Sequence, residues 1–437
     1  MSPKEQLLQR IENRSAVVGV VGLGYVGLPL VQGFHDAGFR VVGVDVDARK
    51  VQALKEGRSY ITDLSDEEVQ HLQRSGRFHP TTDYRALEQA DAILITVPTP
   101  LSKTRDPDIS YVMAAVREIQ KILRPGQVVV LESTTYPGTT DELVKPELEQ
   151  SGLTCGRDFF LAFSPERINP GDSVYALRNT PKVVGGVDPD STEVATRLYE
   201  QVIERVVPVS SAKVAEMSKL LENTFRSVNI ALVNEMAIAA NILQIDIWEV
   251  IEAAGTKPFG FMKFYPGPGI GGHCIPIDPH YLAWKLKTLN YNARFIELAS
   301  EINTFMPRYV VTRIQDVLNE QAKPLKGSRI LVLGVAYKPD VNDLRESPAL
   351  DVMQLLLEKG VDLQYHDPYI PEVRIGRQVF RSVPLTPEVL RGADLTVILT
   401  HHSNVDYEAV VRHAPLVFDT RNATRGVQGA EQKVMKL

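Results

Sequence analysis

Cysteine is nearly absent: the 437 residues hold two, Cys155 and Cys274, far apart in the chain. That argues against a secreted disulfide scaffold and points to a reducing, cytoplasmic setting. Positive charge is not in excess either. The net charge of −6 gives no reason to expect a nucleic-acid surface and leaves basic residues for local phosphate contacts. One uncharged stretch of about membrane-span length runs from Ala16 to Phe34, but its five glycines and one proline indicate strand, loop and helix, so no membrane segment is expected. The residues before it mix acids and bases and lack a cleavage pattern, against a signal peptide. Metal-ligand spacing is missing as well. His401-His402 has no acid or Cys cluster at ligand spacing, and the glycine loop around His273, Cys274 and Asp278 argues for phosphate or carbonyl contact, so no metal is expected. What remains is an ordinary globular composition, 44% apolar and 23% charged, in a chain long enough for two to four domains.

The first clear signal is Ala16–Val21, a buried strand, followed by Gly22-Leu-Gly24-Tyr25-Val26-Gly27 and a second strand, Arg40–Val44, that ends in Asp45. Strand, glycine turn, helix and an acid about twenty residues on make a dinucleotide-binding unit. The glycines permit a tight turn and close approach of a pyrophosphate to a helix N-terminus. Asp45 would take ribose hydroxyls and repel a 2′-phosphate, favouring NAD over NADP, with Arg49 nearby as a countervailing charge. Further strands end at Val97 and Thr99, at Thr134, and at Ser164-Pro-Glu166, where ligands bind in open parallel sheets. From Ser211 to Asn241 there is no glycine or proline, and Val214, Met217, Leu221, Phe225, Val228 and Leu232 recur at helical spacing. This predicts a long, largely buried helix with Lys219 and Asn223 on one face. After the linker Gln321–Gly327, strands at Arg329–Leu333, Asp362–His366, Leu395–Leu399 and Leu416–Asp419 predict a second, smaller α/β unit. It has no GxGxxG. Lys338, Arg345 and Arg421 lie near its strand ends, placed to neutralise phosphate. The expected fold is α/β: two Rossmann-like doubly wound domains joined by a central helical domain with one long helix. The boundaries are 1–210, 211–320 and 321–437.

Between the helices lies Lys263-Phe264-Tyr265-Pro-Gly267-Pro-Gly-Ile-Gly271-Gly272-His273-Cys274-Ile-Pro276-Ile-Asp278-Pro-His280. Its glycines let backbone approach a ligand and offer N–H groups to an anion. Pro276 suits a first helical turn, so Cys274 is expected at or just before a helix N-terminus, where a thiolate is favoured.

Together these motifs resemble the UDP-glucose/GDP-mannose dehydrogenase superfamily over roughly residues 15 to 425. The motifs are Gly22-x-Gly24-x-x-Gly27, Glu132-Ser-Thr-Thr-Tyr-Pro-Gly138, Ser164-Pro-Glu166, Glu216-Met-Ser-Lys219 with Asn223, Gly271-Gly-His-Cys274 with Asp278, and Lys338-Pro-Asp with Asp343-Leu-Arg-Glu-Ser-Pro348. The resemblance implies oxidation of the C6 hydroxymethyl of a nucleotide sugar to a carboxylate with two NAD. Cys274 is then the nucleophile, Lys219, Asn223 and Asp278 are polar catalytic groups, Glu166 is the base, and Thr134 positions water. It also implies a homodimer through the long helix. His273, the run Arg167-Ile-Asn169-Pro-Gly171, and Phe264–Gly269 depart from the UDP-glucose pattern. They look like the branch acting on UDP-N-acetylhexosamines, UDP-N-acetylglucosamine ahead of UDP-N-acetylmannosamine. Arg167, Asn169 and His273 are the candidates for reading the acetamido group. Two alternatives of other classes are a two-electron hydroxyacid dehydrogenase with a structural cysteine and an NAD-responsive binding module.

Overall fold

A computed structural model describes residues 1–61, 64–102, 106–167 and 176–437. The chain divides into two compact units, residues 1–222 with 280–291, and residues 223–279 with 292–437.

The first unit is built on eight strands: β1 (Val17–Val21), β2 (Arg40–Val44), β3 (Phe78–Thr81), β4 (Ala92–Ile95), β5 (Val128–Leu131), β6 (Phe160–Phe163), β7 (Lys182–Gly186) and β8 (Val206–Pro208). Their order in the sheet is β3-β2-β1-β4-β5-β6-β7-β8. All neighbours are parallel except β6 and β7. Strand pleating sends alternate residues to opposite faces. Val18, Val20, Leu94 and Val130 enter one core, and Val17, Val21, Ile93, Ile95 and Val129 enter the other. Both faces are covered, so these strands are continuously apolar rather than alternating. Helices α1 (Pro3–Glu12), α2 (Gly27–Asp36), α3 (Ala48–Lys55), α4 (Asp66–Arg74), α5 (Ser110–Ile122), α6 (Lys145–Glu149) and α7 (Pro189–Tyr199) belong to this unit. The sheet order reverses between β1 and β4, which puts the ends of those two strands at the ligand-binding switch point of such folds.

Helix α8 (Ala212–Ile242) follows, then α9 (Ile247–Ala254), α10 (Asp278–Thr288) and α11 (Arg294–Glu320). The long helix forms as its period predicts, but its burial is the reverse of the expectation. Val214, Met217, Leu221, Phe225 and Leu232 are exposed, Leu221 by 59%. The buried face carries Ala215, Glu216, Lys219, Leu220, Asn223, Ala231, Asn234 and Ala237. Small and hydrogen-bonding residues let the helix lie close to its own chain, and the large apolar residues are left outward.

The second unit carries a five-stranded parallel sheet of β9 (Arg329–Leu333), β10 (Asp362–His366), β13 (Leu395–Ile398), β14 (Val417–Asp419) and β15 (Val434–Lys436), in the order β10-β9-β13-β14-β15. An antiparallel hairpin, β11 (Glu372–Ile375) and β12 (Gln378–Arg381), lies outside it. Helices α12 (Pro348–Glu358), α13 (Pro387–Gly392) and α14 (Tyr407–His413) complete the unit. Ile238, Met306, Val310 and Ile314 of the helical segment share one core with β9, β10, β13 and α12. Among the described residues, no helix is long and apolar enough to cross a membrane.

Candidate active site

In the first unit the glycine turn after β1 gives each glycine a separate reason. Gly22 has φ +98°, and a Cβ there would meet the Thr96 backbone at 2.8 Å. A Cβ at Gly27 would strike the Gly22 carbonyl, so α2 can begin only where no side chain stands. Gly24 faces open space with nothing within 4 Å, the opening a pyrophosphate needs. Tyr25 and Val26 are half-buried between these positions. Asp45 is 7% exposed at the end of β2. Its carboxylate accepts from the backbone N–H groups of Leu23 and Asp47 at 2.9 Å each, and Lys50 approaches at 3.2 Å. Arg49 is turned to Asp47 instead. Val97 and Thr99 follow β4 and Thr134 follows β5, with Thr99 buried and the other two half-buried.

The turn after β6 is held from two sides. The Glu166 carbonyl accepts from Lys219 Nζ at 2.6 Å. Beneath it lies a buried trio that the sequence reading missed. Lys182 Nζ donates to Glu132 Oε2 at 2.7 Å and approaches the Pro165 carbonyl at 3.4 Å, while Tyr199 Oη donates to Glu132 Oε1. Burial raises the Glu132 carboxyl above its ordinary range, Lys182 opposes this, and Glu166 adds to it. Arg167 donates to the Pro181 carbonyl at 2.9 Å and pairs with Glu222 on α8. Asn169 and Gly171 lie outside the described residues.

In the second unit Asn223 Nδ2 donates to Asp278 Oδ2. The Cys274 carbonyl accepts from the N–H groups of Ile277 and Asp278 at 3.1 and 2.8 Å, so the thiol sits one turn ahead of α10. Pro279, not Pro276, is the helical proline; Pro276 lies inside the turn that joins Cys274 to the helix. The shift arises because Asp278 can begin the helix, whereas the Cys274 carbonyl is occupied in closing the turn. His273 Nδ1 stands 4.0 Å from Cys274 Sγ. The glycine loop is fastened through Gly267 N–H, which donates to Asn234 Oδ1 at 2.9 Å. Asn234 in turn donates to Asn303, and Asn303 to the Ser227 carbonyl, at 2.9 and 3.2 Å. These two asparagines were not singled out in the sequence; their separation of 69 positions hides the pairing.

The same loop packs on the end of the smaller sheet. A Cβ on Gly267 would run into the Arg421 guanidinium, one on Gly271 into the Tyr337 Cβ and the Glu346 carbonyl, and one on Gly272 into the Tyr337 ring. Arg421 donates Nε to the Leu399 carbonyl at 2.9 Å, and burial lowers its pKa to about 10. Lys338 Nζ lies 5.7 Å from the Tyr337 ring. Arg345 forks onto Asp343, the closest approach being 2.7 Å, and its carbonyl accepts from Gly272 N–H. Phe264 meets Phe225 edge to face, and Tyr265 stacks on Trp248 and donates to Glu252 at 2.7 Å.

The second sheet also has an acid one residue past its second strand, Asp367, in the place Asp45 holds in the first. Its oxygens accept from the N–H groups of Val335, Ala336, Tyr369 and Ile370 and pair with buried His402 at 3.0 Å. Burial works against the charged form, yet these partners hold Asp367 below the ordinary carboxylate range. This acid is enclosed by four backbone N–H groups and a histidine, whereas Asp45 has two backbone N–H groups and Lys50, and Gly24 near it faces open space.

An open glycine cradle, an acid at the second strand and a cysteine ahead of a helix define a dinucleotide-dependent oxidoreductase. The chain belongs to the UDP-glucose/GDP-mannose dehydrogenase family: that family's NAD binding domain matches residues 16–203, its central domain 213–305 and its UDP binding domain 331–426. It is 38% identical to the UDP-N-acetyl-D-glucosamine 6-dehydrogenase of Pseudomonas aeruginosa, over 81% of this chain and 83% of that one. It is 36% identical to the UDP-N-acetyl-D-mannosamine dehydrogenase of Methanocaldococcus jannaschii, over 92% and 91%. The solved UDP-D-ManNAc dehydrogenase of Pyrococcus horikoshii superposes with a TM-score of 0.86 at 33% identity, covering 94% of this chain and 96% of that one. The chain is thus an NAD-dependent nucleotide-sugar 6-dehydrogenase.

Proposed function

We propose that the chain oxidises the C6 hydroxymethyl of a UDP-N-acetylhexosamine, UDP-N-acetylglucosamine first, to the uronic acid in two steps through Cys274. The observation that carries this reading is the Cys274 turn, closed onto the start of α10, with Asn223 and Asp278 paired at that same helix start. The glycine turn and Asp45 would hold NAD, which accepts one hydride at each oxidation. Cys274 attacks the C6 aldehyde, giving a thiohemiacetal whose carbon still carries a hydride to lose. The resulting thioester is cleaved by water, with Glu166 taking the proton and Thr134 orienting the water. Lys219 and Asn223 supply donors for the oxyanions. Arg421, Lys338 and Gly267 are assigned to the UDP moiety, with Phe264, Tyr265, Gly271 and Gly272 beside the sugar, and Arg345 to the cofactor.

Among the described candidates for reading the acetamido group, His273 is favoured because its Nδ1 lies 4.0 Å from the sulfur of Cys274, at which the sugar would react. Relatives bearing both hexosamine names support UDP-N-acetylmannosamine as the second reading. A cytoplasmic homodimer goes with this function, supported by the outward apolar residues of α8.

The test offers UDP-N-acetylglucosamine, UDP-N-acetylmannosamine and UDP-glucose with NAD and counts NADH per acid. Two NADH per acid and no free aldehyde are expected. UDP-glucose should trail by roughly tenfold to hundredfold in kcat/KM, since an unmet buried amide partner costs about 1–3 kcal/mol. One NADH with accumulating aldehyde would overturn the covalent route. A lead for UDP-glucose would overturn the substrate and leave the chemistry standing.

A further inference from the structure

The first unit carries a group of side chains that the dehydrogenase reaction does not use. His35 ends α2 beside Asp36, and His71 lies in the last turn of α4. One ligand atom from each of the three lies within 4.8 Å of the others. Among the described residues this is the one such cluster. An open cavity of about 440 Å³ adjoins it, lined by Gln32, Asp36, Ser65, Glu67, Glu68, His71 and Leu72.

The protons around His35 can be assigned from its partners. Ser75 Oγ is 2.7 Å from the Leu72 carbonyl, which can only accept, so the single hydroxyl proton goes there. Ser75 Oγ therefore accepts from His35 Nε2 at 2.7 Å, as it does from Arg77 N–H at 3.1 Å. That leaves His35 Nδ1 facing the Asp36 carboxylate, 3.0 Å away. A histidine whose far nitrogen is fixed as a donor by a second partner is the arrangement metal-bound imidazoles show. A separation of 3.0 Å is also what two ligands about 2.1 Å from one ion have when they subtend a near right angle.

We infer that His35 Nδ1, Asp36 and His71 bind one divalent transition ion, Zn²⁺ or a close relative, with water from the cavity completing the shell. Two ligands of one such ion lie about 3.0–3.4 Å apart between a right and a tetrahedral angle, so exposed His71 would swing inward by up to about 1.4–1.8 Å. The negative ends of two helices meet here, and Glu67 and Glu68 line the cavity, so the local field favours a cation. Imidazole nitrogen with one carboxylate suits Zn²⁺ or Ni²⁺ over Mg²⁺. The ion would tie the end of α2 to the end of α4. The inference stands apart from the dehydrogenase reading.

The test strips the full-length protein with chelator, then titrates Zn²⁺ by calorimetry and Co²⁺ by absorption. One ion per chain is expected, with a Co²⁺ spectrum free of thiolate charge transfer, which separates it from Cys274. His71→Ala and Asp36→Asn alter exposed side chains and should each weaken the ion by at least about 10–100-fold, the size of effect seen even for outer partners of metal ligands. Unchanged NAD reduction would show that both variants fold. No bound ion, or binding unaltered in both variants, overturns the site and leaves the His35–Asp36 contact as a hydrogen bond of the fold.

Discussion

The two cysteines differ in their surroundings. Burial, with Asp188 next, pushes the Cys155 thiol up to about 12. At pH 8 roughly one molecule in ten thousand would then carry its thiolate. Iodoacetamide should therefore modify Cys274 and spare Cys155, read by peptide mass; labelling of Cys155 first would defeat this account. Glu216 is a second case. It accepts from the N–H groups of Gly138 and Thr140 and from the Thr140 hydroxyl. Burial nevertheless raises its pKa to about 7 from 4.5. A carboxyl raised on folding stabilises the native state below its unfolded value and loses that contribution as pH rises through the folded one. Unfolding free energy should thus fall between pH 4.5 and 7 by about 3 kcal/mol through this group. Glu216→Gln should flatten the profile in that window, measured by denaturant titration; an identical slope in both proteins would reject it. The glycine turn, Asp45 and Cys274 were legible because local order alone defines them. The partners of Lys182 and Arg167 were not, since Glu132 and Glu222 lie 50 and 55 positions away.

At the scale of elements, periodicity predicted α8, but hydrophobicity pointed to the wrong face. Apolar residues mark surfaces that leave water, and a surface can do so against a second chain as well as against its own core. Leu232→Asp combined with Met236→Asp should convert a dimer into a monomer, read by light scattering at micromolar protein. A monomeric parent, or a dimer that survives both charges, would refute the interface. The strands missed in the sequence have a related explanation. Among them, β3 holds Pro80 and β8 ends in Pro208, and proline argues against a strand. Both lie at the edges of the eight-stranded sheet, where a missing N–H is tolerated.

For the whole molecule, the two sheets repeat one plan with different outcomes at the second strand. Asp45→Ala should weaken NAD binding about tenfold or more, measured by calorimetry, and lower the melting temperature less than removal of the more heavily bonded Asp367 does. Asp367→Ala should instead lower thermal stability, because His402 and four backbone N–H groups lose their acceptor. Reversed effects would show that the roles of the two acids are misassigned. The order of an α/β stretch, a helical stretch and a second α/β stretch along the chain was visible from strand and helix patterns. The return of the chain to the first unit was not, because nothing in residues 280–291 names their destination. In that segment Tyr281 donates to the Pro100 carbonyl at 3.1 Å, Trp284 packs on Tyr136, and Lys285 pairs with Glu142. On the ribosome, residue 222 is made well before residue 291, and translation at about 5–20 residues per second leaves a gap of roughly 3–14 s. Through that interval the nascent first unit must wait with the docking surface for α10 uncovered, and a chaperone that binds early would find it there.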